Sequence, residues 1–354
     1  MGETTTALPT LAANGGAHLP EVDVDSYNLE LRDDEDFIGD RVTKGSFRAF
    51  IENWRKPLRK QGDDPLGKTP SKELTRQELD AFLSEGEPEA AGVVQGAIED
   101  FAQEFALVIR RFLKTKGWRD TQRIVVGGGL RASRVGEVAV GRANVILKAE
   151  GVDIELALVR EDPDDAGLLG AAHLVPSWMF KGHDAILAVD IGGTNIRAGL
   201  IELNLKRAAD LSKASVHTLD LWRHGDEKPT RDQAVERLVK MLQKLIARAE
   251  KDKLQLTPFI GIGCPGVIAA DGSIERGAQN LPGNWESSRF NLPARLHEDI
   301  PKIGDHRTAV LMHNDAVIQG LSEVPFMRDV ERWGVLTIGT GLGNARFTNH
   351  ARAD

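Results

Sequence analysis

The sequence predicts a mixed α/β fold in two domains, and three observations carry that reading. Short apolar runs end again and again in glycine turns. Segments with apolar residues at spacings of three and four stand among those runs, as in sheets covered by helices. A chain of 354 residues is also long enough to bury two separate cores. The organising stretch is Asp190-Ile191-Gly192-Gly193-Thr194-Asn195-Ile196-Arg197, set between the apolar runs Ala185 to Val189 and Ala198 to Ile201. It reads as a β-hairpin whose glycines supply the positive φ of a tight turn and leave the backbone open on one side. Successive N–H groups there, with the Thr194 hydroxyl, form a concavity suited to phosphate. Asp190 at the strand mouth suits Mg²⁺, held directly or through water.

Taken in order, residues 1–40 show no sustained period and are expected to form an irregular arm. A helix is expected from Phe47 to Leu58, broken by Gly and Pro between Gln61 and Pro70. Thr75 and Glu78 have capping-box spacing ahead of Leu79, Phe82 and Leu83, which marks a short helix ending near Gly86. From Val94, the residues Ile98, Phe101, Phe105, Val108 and Phe112 recur at three and four, so a long helix buries one face and stops at Gly117. Ile124 to Val126 is a strand entering Gly127-Gly128-Gly129, and a second strand follows around Val152 to Val159. Such a turn sits where open α/β sheets bind ligands, at the carboxyl end of a strand. Asp164-Asp165 opens a helix rich in small residues, which those carboxylates are suited to cap. Residues 174–184 read as a connector into the Asp190 hairpin.

Beyond the hairpin, Thr230 and Gln233 again have capping-box spacing, followed by Val235, Leu238, Leu242, Leu245 and Ala249 on one helical face. Phe259 to Gly263 is a buried strand running into Cys264-Pro265-Gly266. Asp271 to Leu296 is read as loop-rich. Ala309 to Met312 is a strand whose end carries His313-Asn314-Asp315. Gly334 to Ile338 is another, running into Gly339-Thr340-Gly341-Leu342-Gly343, a second turn of the design seen at Gly192.

The net charge is −8, with 41% hydrophobic and 28% charged residues. That balance, with no basic stripe interleaved with aromatics, speaks against a nucleic-acid partner. No apolar run reaches membrane-spanning length and no leader pattern opens the chain, so no membrane partner and a cytoplasmic location are expected. The single cysteine, Cys264, allows no internal disulfide and no thiolate zinc cage.

Two glycine/threonine hairpins, a further glycine turn after a strand, and an Asp at a strand end are parts that phosphoryl transfer requires: phosphate cradles, a place for a divalent metal and a base near the accepting hydroxyl. The set resembles the superfamily joining sugar kinases, actin and heat-shock chaperones, and within it the ROK family of bacterial repressors and sugar kinases. The resemblance rests on LAVDIGGTNIRAGLIEL (187–203), GIGCPGVIAADGSIERGAQNLPGNW (261–285), HNDA (313–316), IGTGLG (338–343), IVVGGGL (124–130) and DDAGLLGAA (164–172). It implies a two-domain ribonuclease-H-like, or actin-like ATPase, fold with ATP and Mg²⁺ as cofactors. The implied cofactor residues are Asp190 on the metal, Gly192, Gly193 and Thr194 with Gly339, Thr340, Gly341 and Gly343 at the phosphates, and Gly127, Gly128 and Gly129 at the adenosine. Arg197 holds the family's basic position after the first turn, or is structural. Asp315 is the implied general base, or else a cap of the following helix. Asn280, Asn314 and Gly266 are implied at the sugar.

The order of these motifs departs from the family, in which the DIGGT-like hairpin comes first and the GGG turn and DDAGLLGAA-like helix come last. The chain therefore looks circularly permuted, with 174–184 joining the ancestral end to the ancestral beginning. The expected domains are a discontinuous large one, 1–165 with 316–354, and a small one, 166–315. The segment that in the family follows the GTGLG turn carries Glu-x-Gly-His and a cysteine-rich zinc loop. This chain has neither, so no zinc site is expected. His18 in Gly15-Gly16-Ala17-His18 stands as a substitute for the family's His or as a solvated side chain, with no Glu three positions before it. The function expected is an ATP- and Mg²⁺-dependent kinase of a hexose or related sugar, a small-molecule enzyme for which a homodimer is admitted. A non-catalytic sugar-binding regulator and a polyphosphate-dependent kinase are the alternatives. Among residues 1–70 no helix-turn-helix of the kind that family regulators carry is read.

Overall fold

A computed structural model of the protein describes residues 12–34, 36–129 and 131–351. Among these, ten strands build two five-stranded sheets: β1 (Val22–Tyr27), β2 (Arg123–Gly127), β3 (Glu155–Leu158), β4 (Ala185–Ile191), β5 (Ile196–Glu202), β6 (Ser215–Trp222), β7 (Leu256–Cys264), β8 (Ala309–Asn314), β9 (Arg332–Ile338) and β10 (Leu342–Asn349). The α-helices are α1 (Lys44–Lys60), α2 (Arg76–Ser84), α3 (Pro88–Leu113), α4 (Arg134–Ala149), α5 (Pro163–Leu169), α6 (His224–Glu227), α7 (Arg231–Lys251), α8 (Leu292–Asp299) and α9 (Asp315–Leu321). The chain divides into two compact units: the residues up to Asp23 with Leu168–Asn314, and Val24–Gly167 with the residues from Asp315 onward.

In the first unit the sheet order is β6-β5-β4-β7-β8. β4 and β5 are the expected antiparallel hairpin, and β7 and β8 run parallel to β4. Ala185 to Val189 are fully buried, which is why that run is continuously apolar rather than alternating. Helix α7 starts at the expected capping box, with Thr230 and Gln233 bonding reciprocally, and buries Val235, Leu238, Leu242, Leu245 and Ala249.

The second unit has the order β1-β10-β9-β2-β3. β9 and β10 form its antiparallel hairpin, while β2 and β3 run parallel to β9. Counted from β4 in one sheet and from β9 in the other, both read 3-2-1-4-5, the order of the expected ribonuclease-H-like fold. In the second sheet, however, the third strand after β9 and β10 is β1, near the opposite end of the chain. Helix α3 packs against α1 and α4 and buries Phe101, Phe105 and Phe112, with Trp118 set 4.8 Å from the Phe112 ring.

Several expectations need correction. The irregular arm lies outside the described residues as far as Leu11, but Val22–Tyr27 is a sheet strand, because Val22 and Val24 alternate inward. Residues 12–23 moreover belong with Leu168–Asn314, tied by Gly15 N–H to the Met312 carbonyl at 2.9 Å and by Met312 N–H to Asn14 Oδ1 at 2.8 Å. The loop expected over Asp271–Leu296 gives way to α8 from Leu292, capped by Asn291 Oδ1 on the Ala294 amide. The connector 174–184 includes a 3₁₀ turn at Ser177–Phe180. Neither Gly192 nor Gly193 takes the left-handed φ expected of it; among the glycine turns at the strand ends, that conformation falls on Gly128 (φ 83°) and Gly266 (φ 102°).

Candidate active site

In the first unit, the parallel strands β4, β7 and β8 end in register: Asp190 lies opposite Gly263, His313 opposite Gly263 from the other side, and Asn314 opposite Cys264. The ends of parallel strands in an open sheet are where ligands meet the fold. Asp190 is half-buried, and its Oδ2 accepts from the Arg197 guanidinium at 3.0 Å across the hairpin. Gly192 N–H closes the turn on the Asn195 carbonyl at 2.8 Å. The turn is braced from outside by α6: buried His224 donates from Nε2 to the Gly192 carbonyl at 2.8 Å, and Gly225 N–H donates to the Thr194 carbonyl at 3.0 Å.

Sugar-side candidates gather in the same unit. Asn314 is buried and donates from Nδ2 to the Gly266 carbonyl at 3.0 Å. A β-carbon on Gly193 would stand 3.1 Å from Cβ of Asn280, so that turn and Asn280 are neighbours. His313 is buried with its ring fixed by two bonds: Nδ1 accepts from the Asn314 amide at 2.8 Å, so Nε2 carries the hydrogen and donates to the Gly16 carbonyl at 3.2 Å. Burial pushes its imidazole down to about 4, which keeps it neutral. His18 stands away from this cluster in character: its side chain is 87% exposed and pairs with Asp23 at 2.8 Å.

In the second unit the two remaining glycine turns close against each other at the ends of the neighbouring parallel strands β9 and β2. Thr337 is opposite Gly127, and a β-carbon on Gly128 would lie 2.4 Å from the Ile338 carbonyl oxygen. Gly339 N–H bonds the Gly341 carbonyl at 3.0 Å within its own turn. Lys44 N–H donates to the Gly339 carbonyl at 2.9 Å, and Arg76 donates to the Gly129 carbonyl at 2.8 Å, so α1 and α2 are anchored to one turn each. Between them lies a cavity of about 120 Å³ walled by Phe47, Leu79, Val135 and Ile338, about the size that admits a single ring system. Asp315 opens α9, and its Oδ1 accepts from the Ala316 amide at 2.9 Å. Ala316 is set against Gly343, where a β-carbon would approach it to 3.1 Å.

For Mg²⁺ the residues fit one kind of site. Among the described residues no three metal-ligating side chains cluster, so a fully protein-built cage is not what this chain offers. A lone Asp190 already bonded to Arg197 suits an ion carried chiefly by phosphates and water.

Sequence reasoning missed Lys44, Arg48 and Arg76 at the cavity and His224 behind the Gly192 turn. The capping pair Thr43 and Ser46 at the head of α1 was the available signal for the first of these.

Glycine turns at the ends of parallel strands and two sheets of one topology define an α/β protein of the expected two-sheet class. Residues 186–352, just under half of the chain, match the model of the ROK family. No curated protein matches the chain. Among solved structures, a protein from Cytophaga hutchinsonii provisionally described as a sugar kinase is 20% identical, with a TM-score of 0.36 over 47% of this chain and 48% of that one. A ROK hexokinase from Thermus thermophilus is 22% identical, with a TM-score of 0.30 over 45% of each chain. A ROK-family transcriptional regulator, a homologue of the E. coli MLC protein, is 18% identical, with a TM-score of 0.36 over 47% of this chain and 37% of that one. The matches thus span about half the length of these proteins or less. No helix among the described residues is long and apolar enough to cross a membrane.

Proposed function

We propose that the chain is a sugar kinase that moves the terminal phosphoryl group of ATP, with Mg²⁺, to a hydroxyl of a hexose or related sugar. The observation that carries this reading is the closure of the Gly127–Gly129 and Gly339–Gly343 turns on each other beside an apolar cavity. In this reading the cavity takes the base and the Gly339–Gly343 turn donates to phosphate oxygens through its backbone. Gly192, Gly193 and Thr194 are a second donor set, stiffened by His224. Asn280, Asn314 and the Gly266 segment orient sugar hydroxyls, Asn314 being fixed already by its bond to Gly266. Asp315 accepts the hydroxyl proton as the new O–P bond forms and the bond to the departing ADP oxygen breaks. Mg²⁺ on the phosphates would offset the charge that gathers on them.

We also read the chain as a reordered member of its family. The third-strand position of β1 supports that reading: the strand that continues the β9–β10 hairpin is found near the other terminus.

The kinase is tested with ATP, Mg²⁺ and a panel of hexoses, reading sugar phosphate. Product with at least one sugar is expected, and replacing ATP by inorganic polyphosphate identifies the donor. A folded protein that makes no product with any sugar or donor overturns the reading. One observation favours the rival, a sugar-binding regulator: three residues before His18, where the family has Glu, the chain has Gly15 at φ 57°, with the Ile268 carbonyl oxygen 2.0 Å from any β-carbon. No side chain fits there. Sugar-dependent thermal stabilisation without turnover would establish that rival.

A further inference from the structure

The cavity of the second unit carries more positive charge than an apolar slot for a base requires. Lys44, Arg48 and Arg76 all line it, together with Phe47, Leu79 and Ile338. Lys44 and Arg48 are four residues apart on α1 and so share a face; Arg76 comes from the first turn of α2. The two guanidinium groups are held by backbone carbonyls, Arg48 by those of Lys72 and Leu74 and Arg76 by that of Gly129. These bonds fix direction and leave the charges uncompensated. Among the described residues no carboxylate lies within ion-pair distance of any of the three, although the chain has 53 acidic residues against 45 basic. Two acids of α2 are engaged elsewhere: Glu78 closes the α2 capping box, and Asp80 accepts from the amides of Arg134 and Val135 at the head of α4. The mutual closeness of the cations also registers on Lys44, whose ammonium is held below its ordinary range by burial and then by Arg48 and Arg76.

Three like charges around one opening repel one another, and an anionic ligand removes that cost. The anchoring bonds fix two points along the cavity: the Lys44 backbone N–H is tied to the Gly339 turn, where the phosphate chain is proposed to lie, and the Arg76 guanidinium to the Gly129 turn, at the nucleoside end. A 5′-phosphate chain alone accounts for the first. The Arg76 guanidinium at the Gly129 end, with Arg48 lining the same opening, calls for a second anion on the nucleoside itself. We propose that this cavity binds nucleotides that carry a phosphate on the ribose, at the 2′ or 3′ hydroxyl, in addition to the 5′ phosphate, with Arg48 and Arg76 receiving that extra group. Such a ligand occupies the donor nucleotide's place and competes with ATP. The inference rests on the reading of this cavity as the nucleotide site.

The test is calorimetric titration of the whole chain with 5′-AMP, adenosine 2′,5′-bisphosphate and adenosine 3′,5′-bisphosphate. At least one bisphosphate is expected to bind about tenfold or more tighter than AMP, the return from one or two charge-assisted bonds. In Arg48→Gln/Arg76→Gln the ratio to AMP should fall to near one, AMP serving as each variant's own reference. If that variant does not fold, Arg76→Gln alone, which gives up one bond to the Gly129 carbonyl, should still lower the preference severalfold. AMP binding with no preference for either bisphosphate overturns this inference and leaves the nucleotide site standing. Binding of none of the three overturns both.

Discussion

Gly128 sits with φ at 83°, and a β-carbon there would stand 2.4 Å from the carbonyl oxygen and 2.6 Å from the amide nitrogen of Ile338. Two strand ends are thereby brought to backbone contact, which no other residue type permits. Gly128→Ala is expected to cost about 1–3 kcal/mol in strain alone, with further loss as the Gly339 turn is pushed away. Gly129 has open space where a β-carbon would go and no left-handed φ, so Gly129→Ala keeps its stability. Urea unfolding of both variants checks this. Equal midpoints would show that the contact is not rigid.

Arg55 organises the loop between α1 and α2. It is fully buried on α1 and donates to Asp64 at 2.9 Å, to the carbonyls of Gly67 and Thr69 at 2.8 Å each, and to Ser71 Oγ at 2.9 Å. One guanidinium thus pins the loop between α1 and α2, the two helices that bring cations to the cavity. Arg55→Leu leaves the partly buried Asp64 and two carbonyls without that donor, at about 3–5 kcal/mol. Lys is no replacement, because an ammonium lacks the planar fork. Denaturation should register the loss, and ATP affinity should fall with it in Arg55→Lys. An Arg55→Lys variant of native stability would refute the pinning.

Glu323 gives the second unit a dependence on pH. The residue is fully buried, and its Oε1 accepts from the Arg160 amide at 2.8 Å while Oε2 has no partner among the described residues. Burial pushes the carboxyl up to about 7, from an ordinary value of 4.5. An acid raised on folding is held protonated by the native state. Its contribution is therefore full below pH 4.5 and fades as pH rises toward 7, a change of about 3 kcal/mol for such a displacement. Glu323→Gln, which keeps the shape without the titration, should lose less stability than the native chain between pH 4.5 and 7. Parallel stability profiles of the two proteins would count against it.

What the sequence discloses, and what it hides, follows from how strongly each element signs itself. The β4–β5 hairpin is legible because two fully buried runs flank a Gly-Gly pair, and α3 because six large apolar residues keep one face for five turns. The ROK resemblance is legible for the same reason as the sheet ends: glycine turns and Asp at strand termini are sequence-local. Helix α4 escapes because Gly136 and Gly141 weaken its pattern, and much of its buried face is small, Ala139 and Ala143 among it. β6 escapes because Leu219 and Leu221 face outward, against the alternation expected of a half-buried strand. Arg48 and Arg76 stand 28 residues apart on amphipathic helices and read there as ordinary solvated charge. Only folding brings them to one opening.

Asp315 carries the proposed chemistry, and its substitution separates that role from a structural one. Its Oδ1 already accepts from the amide of Ala316 at 2.9 Å, as a cap would, while Ala316 packs against Gly343 of the Gly339–Gly343 turn. Asn keeps an acceptor oxygen for that amide and removes the basic carboxylate. If Asp315 takes the sugar proton, Asp315→Asn should fold normally, bind ATP with native affinity and lose about 10²- to 10⁴-fold in kcat. If it serves the helix alone, Asn should retain turnover and Ala should lose stability by about 1 kcal/mol. Steady-state kinetics beside calorimetric ATP binding distinguish the two, and native turnover in Asp315→Asn would remove this residue from the reaction.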